Sequence, residues 1–244
     1  KSPTSGNITI DGTEVKLASA GDALRKGIAH VSQEGSLVPG LTGAQNILLG
    51  DEPRMGLGVI DKRKLIVRAD ELLRRWFPQV SIDLDQQVDM LPMADQKIIE
   101  IVRALRGNVR LLILDEPTAT LPAREKESLW QIIKTLPQQG VGIVLISHFL
   151  SEIKALSDRI TVLRDGRHVA TLEAENSSEA QLIDLMLQRS GGKSAAEQDV
   201  RQTRNLGHLS IADFTLHLHL QLLLRLRLRT TSVFSIEALI FRFG

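Results

Sequence analysis

Residues 111–121 read LLILDEPTATL. An apolar run, Leu111 to Leu114, stops at two adjacent acids, Asp115 and Glu116, and a Pro117-Thr118 turn follows. A short apolar run bounded by turn residues reads as a strand buried on both faces. Parallel sheets are built from such strands and bind ligands beyond the strand C-termini. The two carboxylates therefore arrive where such a sheet carries out chemistry. Asp115 is suited to hold Mg2+, directly or through water. Glu116 points differently and is suited to polarise an attacking water. A lone acidic pair after a strand is ordinarily a solvated turn. The full string through Pro117-Thr118 is what makes this one specific.

Working outward, residues 143–148 read IVLISH, a second buried strand that ends in Ser147-His148 at the same edge. A histidine placed there can hydrogen-bond a terminal phosphate. His30 and His168, by contrast, read as structural. Upstream, residues 30–50 read HVSQEGSLVPGLTGAQNILLG. Gln33 follows the short strand 28–32 and opens a loop over 33–43, where an amide can reach a metal or a water. Residues 91–105, LPMADQKIIEIVRAL, form a turn feeding a helix whose N-terminus can face an anion.

The remaining elements alternate between strands and helices. Residues 7–17 predict a hairpin around Asp11-Gly12, and 160–172 a second one around Asp165-Gly166. A short helix is expected over 19–27. Residues 61–77, DKRKLIVRADELLRRWF, repeat apolar positions at Leu65, Ile66, Ala69, Leu72, Leu73, Trp76 and Phe77. Asp61 is the N-cap of that helix and Pro78 its stop. Further helices are expected over 122–137, 149–157 and 178–187, with a strand over 141–146. The alternation predicts an α/β fold with a mostly parallel sheet.

Composition agrees with a folded chain. Of 244 residues, 43% are hydrophobic and 24% charged, the proportions of a globular domain rather than a disordered one. Cysteine is absent, which excludes disulfides, thiolate metal sites and a cysteine nucleophile. The net charge of +1 names no nucleic-acid partner. That balance hides a split after Ser190. Residues 191–244 carry seven Lys/Arg against four Asp/Glu, a net of +3, and the rest carries 23 against 25, a net of −2.

The four segments, in this order, resemble the nucleotide-binding subunit of ATP-binding cassette (ABC) transporters. They are similar to its Q-loop (Gln33), signature motif (Leu91, Pro92, Met93, Ala94, Asp95, Gln96), Walker B strand (Leu111–Glu116) and switch histidine (His148). The phrase LVPGLTGAQNILLG and the PTSG near the start resemble the carbohydrate-importing branch, whose cassettes usually occur in tandem. The resemblance covers about residues 3–190.

It implies ATP and Mg2+ as cofactors. Asp115 and Gln33 would contact the metal, Glu116 would act on the hydrolytic water, and His148 would sense the γ-phosphate. Residues 91–96 would close over ATP held by a second cassette. The expected organisation is a partial nucleotide-binding domain over 1–190, with a helical subdomain at about 44–107. The expected setting is the cytoplasmic side of the membrane. Transmembrane permease subunits would be direct partners, a periplasmic sugar-binding protein an indirect one, and nucleic acid none. The alternative is a non-catalytic remnant or docking partner. A DNA-repair or translation ATPase of the same superfamily is disfavoured by the absence of a basic stripe.

Several positions depart from that family's pattern. No G-x-x-x-x-G-K-[ST] phosphate loop occurs in the 244 residues. Gly192-Lys193-Ser194 fails the pattern because residue 187 is leucine and a helix precedes it. The phosphate loop and the adenine-stacking aromatic are expected upstream of Lys1. Pro92 stands where a serine hydroxyl is common, Asp95 adds negative charge, and Pro122 replaces an aspartate.

Past Ser190 the resemblance ends. Residues 191–207 read as a linker. Residues 208–244 read as a low-complexity tail, and within it 215–229 is TLHLHLQLLLRLRLR. Strict alternation there fits an amphipathic strand or a segment lying on an anionic surface. The reading preferred here is a segment foreign to the domain.

Without the backbone cradle and lysine of a phosphate loop, the chain alone is expected to bind ATP weakly or not at all. Fluorescent-ATP titration checks this. Saturation only in the millimolar range is expected, and Mg2+-dependent micromolar binding would overturn it.

Overall fold

The computed structural model describes residues 8–10, 13–164, 166–187 and 236–242. Strands β1 (Ile8–Ile10) and β2 (Thr13–Val15) pair antiparallel, Ile8 opposite Val15, as the first hairpin requires. Its Asp11-Gly12 turn lies outside the described residues. Helix α1 (Ala20–Arg25) is capped by the Ser19 side chain, which accepts the Asp22 N–H. Gly27 follows at φ +82°, and a Cβ there would lie 2.7 Å from Arg110 Cγ. Glycine alone turns the chain into β3 (Ile28–Val31) without clash or strain.

Helix α2 (Gly43–Ile47) begins where the expected loop ends. A reciprocal capping box of Thr42 and Gln45 closes its first turn. Helix α3 (Lys62–Trp76) takes Asp61 as its N-cap, as expected. Its predicted stripe holds: Leu65, Ala69 and Leu73 are buried, and Ile66, Leu72 and Trp76 pack against the same core. Helix α4 (Met93–Ala104) packs against α2 and α3.

Strand β4 (Leu111–Asp115), helix α5 (Ala123–Thr135), strand β5 (Gly142–Ser147) and helix α6 (Leu150–Leu156) follow in alternation. Strands β6 (Arg159–Arg164) and β7 (Arg167–Glu173) form the second hairpin, with Gly166 at φ +78° in its turn. Asp165 lies outside the described residues. Helix α7 (Glu179–Leu187) comes next. His168, on β7, bonds Thr171 Oγ1 at 2.9 Å, and burial holds its pKa below the ordinary histidine value. This is the structural role expected of it. No helix among the described residues is long and apolar enough to cross a membrane.

The main sheet has the order β3-β4-β5-β8-β6-β7, where β8 is Ile236–Arg242. Strands β3, β4 and β5 pair in parallel. β8 runs antiparallel to both β5 and β6, so β5 and β6 share one direction. Both faces of the central strands are covered. Leu112, Leu114, Ile143 and Leu145 enter the larger core, and Ile113, Val144 and Ile146 form a smaller cluster with Leu163. This two-sided burial is why β4 and β5 read as continuous apolar runs rather than alternating ones.

β8 is the unforeseen element. It lies within the stretch read as a tail, yet it pairs in the middle of the sheet. The alternating segment 215–229 lies outside the described residues. Because the chain has no cysteine, Ser147→Cys with Ala238→Cys leaves one possible disulfide. These two positions are register partners. Mild oxidation is expected to give an intrachain cross-link, visible as a shift on a non-reducing gel. Ser147→Cys with Leu239→Cys, one residue out of register, is expected to give none.

Candidate functional site

The site begins with two strands that end in step. β4 and β5 run in parallel register, with Leu114 opposite Leu145 and Asp115 opposite Ile146. Residues just past these ends therefore emerge side by side. Asp115 is 7% exposed. Glu116 leaves the strand at φ +48°, a left-handed conformation that costs a non-glycine residue energy. Its N–H donates to the Ile146 carbonyl at 2.9 Å, which ties the strained residue back to β5.

On the neighbouring strand, Ser147 is buried, and its Oγ accepts the Phe149 N–H at 3.0 Å. That bond shapes the turn that presents His148. His148 Nδ1 lies 2.6 Å from Glu116 Oε1. The carboxylate is largely covered, at 14% side-chain exposure, and the imidazole is half exposed. With Nδ1 donating to the carboxylate, Nε2 is the ring's remaining polar atom. The sequence singled out both residues, and the fold joins them.

A second strap lies beneath the first. Thr118, buried in the turn after Glu116, donates its hydroxyl to Glu152 Oε2 on α6 at 2.7 Å. Lys126 of α5 reaches Glu152 Oε1 at 3.7 Å and sits 5.4 Å from the Phe149 ring centroid. The loop after β4 is thus linked twice to the chain after β5, to its turn through Glu116–His148 and to α6 through Thr118–Glu152. Sequence reasoning missed Glu152. Its only signal is a carboxylate four residues past His148, on the inward side of a short helix.

The other expected residues fall at different distances from this clasp. Val31 of β3 pairs with Leu114, so the chain leaves β3 at the same edge and Gln33 emerges there, exposed. Leu91 is buried, and its carbonyl accepts Gln96 Nε2 at 2.8 Å. Pro92 sits at the N-cap of α4 without a side-chain cap bond, and Met93 is exposed. Ala94, Asp95 and Gln96 are half-buried in the first turn of α4. Burial first, and then Glu125 of α5, push the Asp95 carboxyl above its ordinary pKa. The fold does not join residues 91–96 to the carboxylate–imidazole clasp. Glu116 and His148 bond each other, and Gln96 bonds within its own segment.

Sequence reasoning also missed a buried polar cluster on α4, formed by Lys97 and Glu100 beside Ser32. Its signal is a pair of charged residues three apart on a helix face otherwise filled by Ile98, Ile99, Ile101 and Val102.

No group of three or more His, Cys, Asp or Glu among the described residues is placed to hold a metal. Mg2+ needs no such cage. It binds through one or two carboxylates and keeps water and substrate phosphate as its other ligands. A single buried carboxylate at the strand end, with an exposed amide leaving the next strand, suits that donor set.

The parallel strands β3, β4 and β5 carry an acid and a histidine past their C-terminal ends, beside a helical layer that holds residues 91–96. Residues 1–119 match the family model described as ABC transporter. The ribose import ATP-binding protein RbsA 1 of Streptomyces avermitilis is 46% identical over 205 residues, covering 84% of this chain and 38% of that protein. The ribose import ATP-binding protein RbsA of Hahella chejuensis is 41% identical over 193 residues, covering 79% of this chain and 38% of that protein. The chain thus spans under two-fifths of the length of these relatives. Among solved structures, the ATP-binding cassette MJ0796 bound to ADP and Pi, a dimeric post-hydrolysis state, is similar with a TM-score of 0.60 and 22% identity. That match covers 71% of this chain and 75% of the other, and it supports the fold.

Thr118→Val keeps the shape of the side chain and removes the hydroxyl donor to the buried Glu152. A loss of about 1–3 kcal/mol in unfolding free energy is expected, read from the urea midpoint.

Proposed function

We propose that this chain is the hydrolytic part of an ATPase that energises the import of a sugar of the ribose class. The observation that carries the reading is the Glu116–His148 clasp at 2.6 Å, one residue from the buried Asp115 at the end of the parallel strands β4 and β5. The names of its relatives supply the sugar class.

In this reading Asp115 and Gln33 hold the metal. Bound Mg2+ would supply charge neutralisation on the phosphates. Glu116 orients the attacking water and accepts its proton. The Glu116 bond turns the His148 ring so that Nε2 is left for a terminal phosphate oxygen. Residues 91–96 close over nucleotide on a second cassette, so the site is completed between two copies. Residues 44–107 form the helical part that docks on transmembrane permease subunits, at the cytoplasmic face. A periplasmic sugar-binding protein acts upstream. Residues 191–207 are the linker, and Ile236–Arg242, within the stretch read as a tail, belongs to the sheet.

A second reading is a non-catalytic docking partner in the same assembly. It is favoured by the acid at position 95, whose negative charge lies in the segment expected to face phosphate.

Mn2+ in place of Mg2+ tests the edge directly. With millimolar ATP, Mn2+ is expected to broaden the His148 imidazole proton resonances, identified by their loss in His148→Gln. Asp115→Asn is expected to abolish the broadening while leaving the spectrum folded. Broadening that is absent with ATP, or unchanged in Asp115→Asn, would remove the proposal.

A further inference from the structure

Three buried or half-buried polar side chains of α4 reach across to the chain just past β3. Lys97 is 7% and Glu100 1% exposed, three residues apart on the helix. The Lys97 ammonium lies 2.9 Å from Glu100 Oε2 and donates to the Ser32 carbonyl at 2.7 Å. Glu100 Oε1 accepts the Ser36 hydroxyl at 2.6 Å and the Ser32 hydroxyl at 3.4 Å. One turn on, Arg103 donates to the Ser36 carbonyl at 3.0 Å and to the Ser36 hydroxyl. Ser32 and Ser36 bracket Gln33-Glu34-Gly35. The Gly35 N–H closes this bracket by donating to the Ser32 carbonyl at 3.4 Å. The loop is therefore held at both ends by one face of one helix.

The energetics give this arrangement a consequence. A buried ion pair is weak evidence for stability, because an apolar pair of similar volume often does as well. Here, though, both charges are satisfied by the loop as well as by each other. If the loop moved away without α4, Lys97 and Glu100 would stay buried with several of their bonds unmade. Loop and helix are therefore constrained to move together.

We propose that Lys97, Glu100 and Arg103 are positioning residues that lock the Gln33 loop to α4, so that any shift of the helix bearing residues 91–96 is delivered to Gln33. The mechanical statement stands on the contacts above. Its catalytic meaning rests on the function proposed for Gln33.

The absence of cysteine makes the test direct. Gln33→Cys carries a single nitroxide label, and its electron paramagnetic resonance line shape reports how far the loop is held. Glu127→Cys, exposed on α5, is the remote control. In the parent chain the label at 33 is expected to give a broad, restricted spectrum. Glu100→Ala is expected to add a sharp, mobile component at 33 and none at 127. Glu100→Gln keeps an oxygen for the Ser36 hydroxyl and is expected to restore most of the restricted spectrum. Lys97→Met with Glu100→Leu removes both charges while keeping the helix packed, and it is expected to release the loop as well. This double variant decides the matter if Glu100→Ala fails to fold.

An unchanged line shape in the double variant would overturn the proposal. So would equal loosening at 127, or a Glu100→Gln spectrum as mobile as that of Glu100→Ala. The measurement uses no nucleotide, so its failure leaves the ATP reading standing, and failure of the ATP reading leaves the clamp standing.

Discussion

The parallel register between β4 and β5 governs the edge where the chemistry is concentrated. Side chains alternate along a strand, so a slip of one residue would exchange the two faces of β4. Leu112 and Leu114 would leave the larger core, and Ile113 would be driven into it. Burial on both faces thus pins the pairing to one register. That register places Asp115 beside Ile146 and brings the residues after each strand end together. The Glu116 N–H bond to Ile146 then holds a backbone conformation that an isolated turn would abandon. The clasp to His148 and the strap from Thr118 to Glu152 both follow from this one alignment.

Much of this was legible in residue order because the signals are local. β4 announced itself as an apolar run ending in acids, and α3 as a stripe at three- and four-residue spacing behind an aspartate cap. Both hairpins were signalled by an Asp-Gly pair in the sequence between two short apolar runs. The less legible elements depend on distant partners. Helix α2 is only five residues long, and its one sequence signal is the Thr42–Gln45 capping box. It is fixed by tertiary bonds, from the Gly43 N–H to the Gln86 carbonyl and from the Ala44 N–H to the Leu84 carbonyl. A Cβ at residue 43 would meet Ile99 and Leu84 at 3.1 Å, so glycine there serves close packing.

The site shows the same division. Asp115, Glu116 and His148 could be read one by one because each stands at or one residue past the end of an apolar strand. Lys97, Glu100 and Glu152 could not, because a charged residue on a helix reads as solvated until the fold buries it. Their roles come from partners 65, 68 and 34 residues away in sequence. The polar groups inside this protein thus act as ties between segments, joining a loop to a helix or a turn to a helix. The apolar groups set layers and register.

The position of β8 bears on the order in which the sheet can assemble. β5 and β6 are synthesised close together, but the strand that joins them starts at residue 236, about seventy positions after β7 begins. On a ribosome that adds roughly 5–20 residues per second, the two inner edges wait for seconds before their partner emerges. Closing so long a loop late, into the centre of a sheet, is the kind of non-local pairing that slows folding. During that interval the half-built sheet offers two unsatisfied edges, and a nascent chain in that state is a natural client for a chaperone.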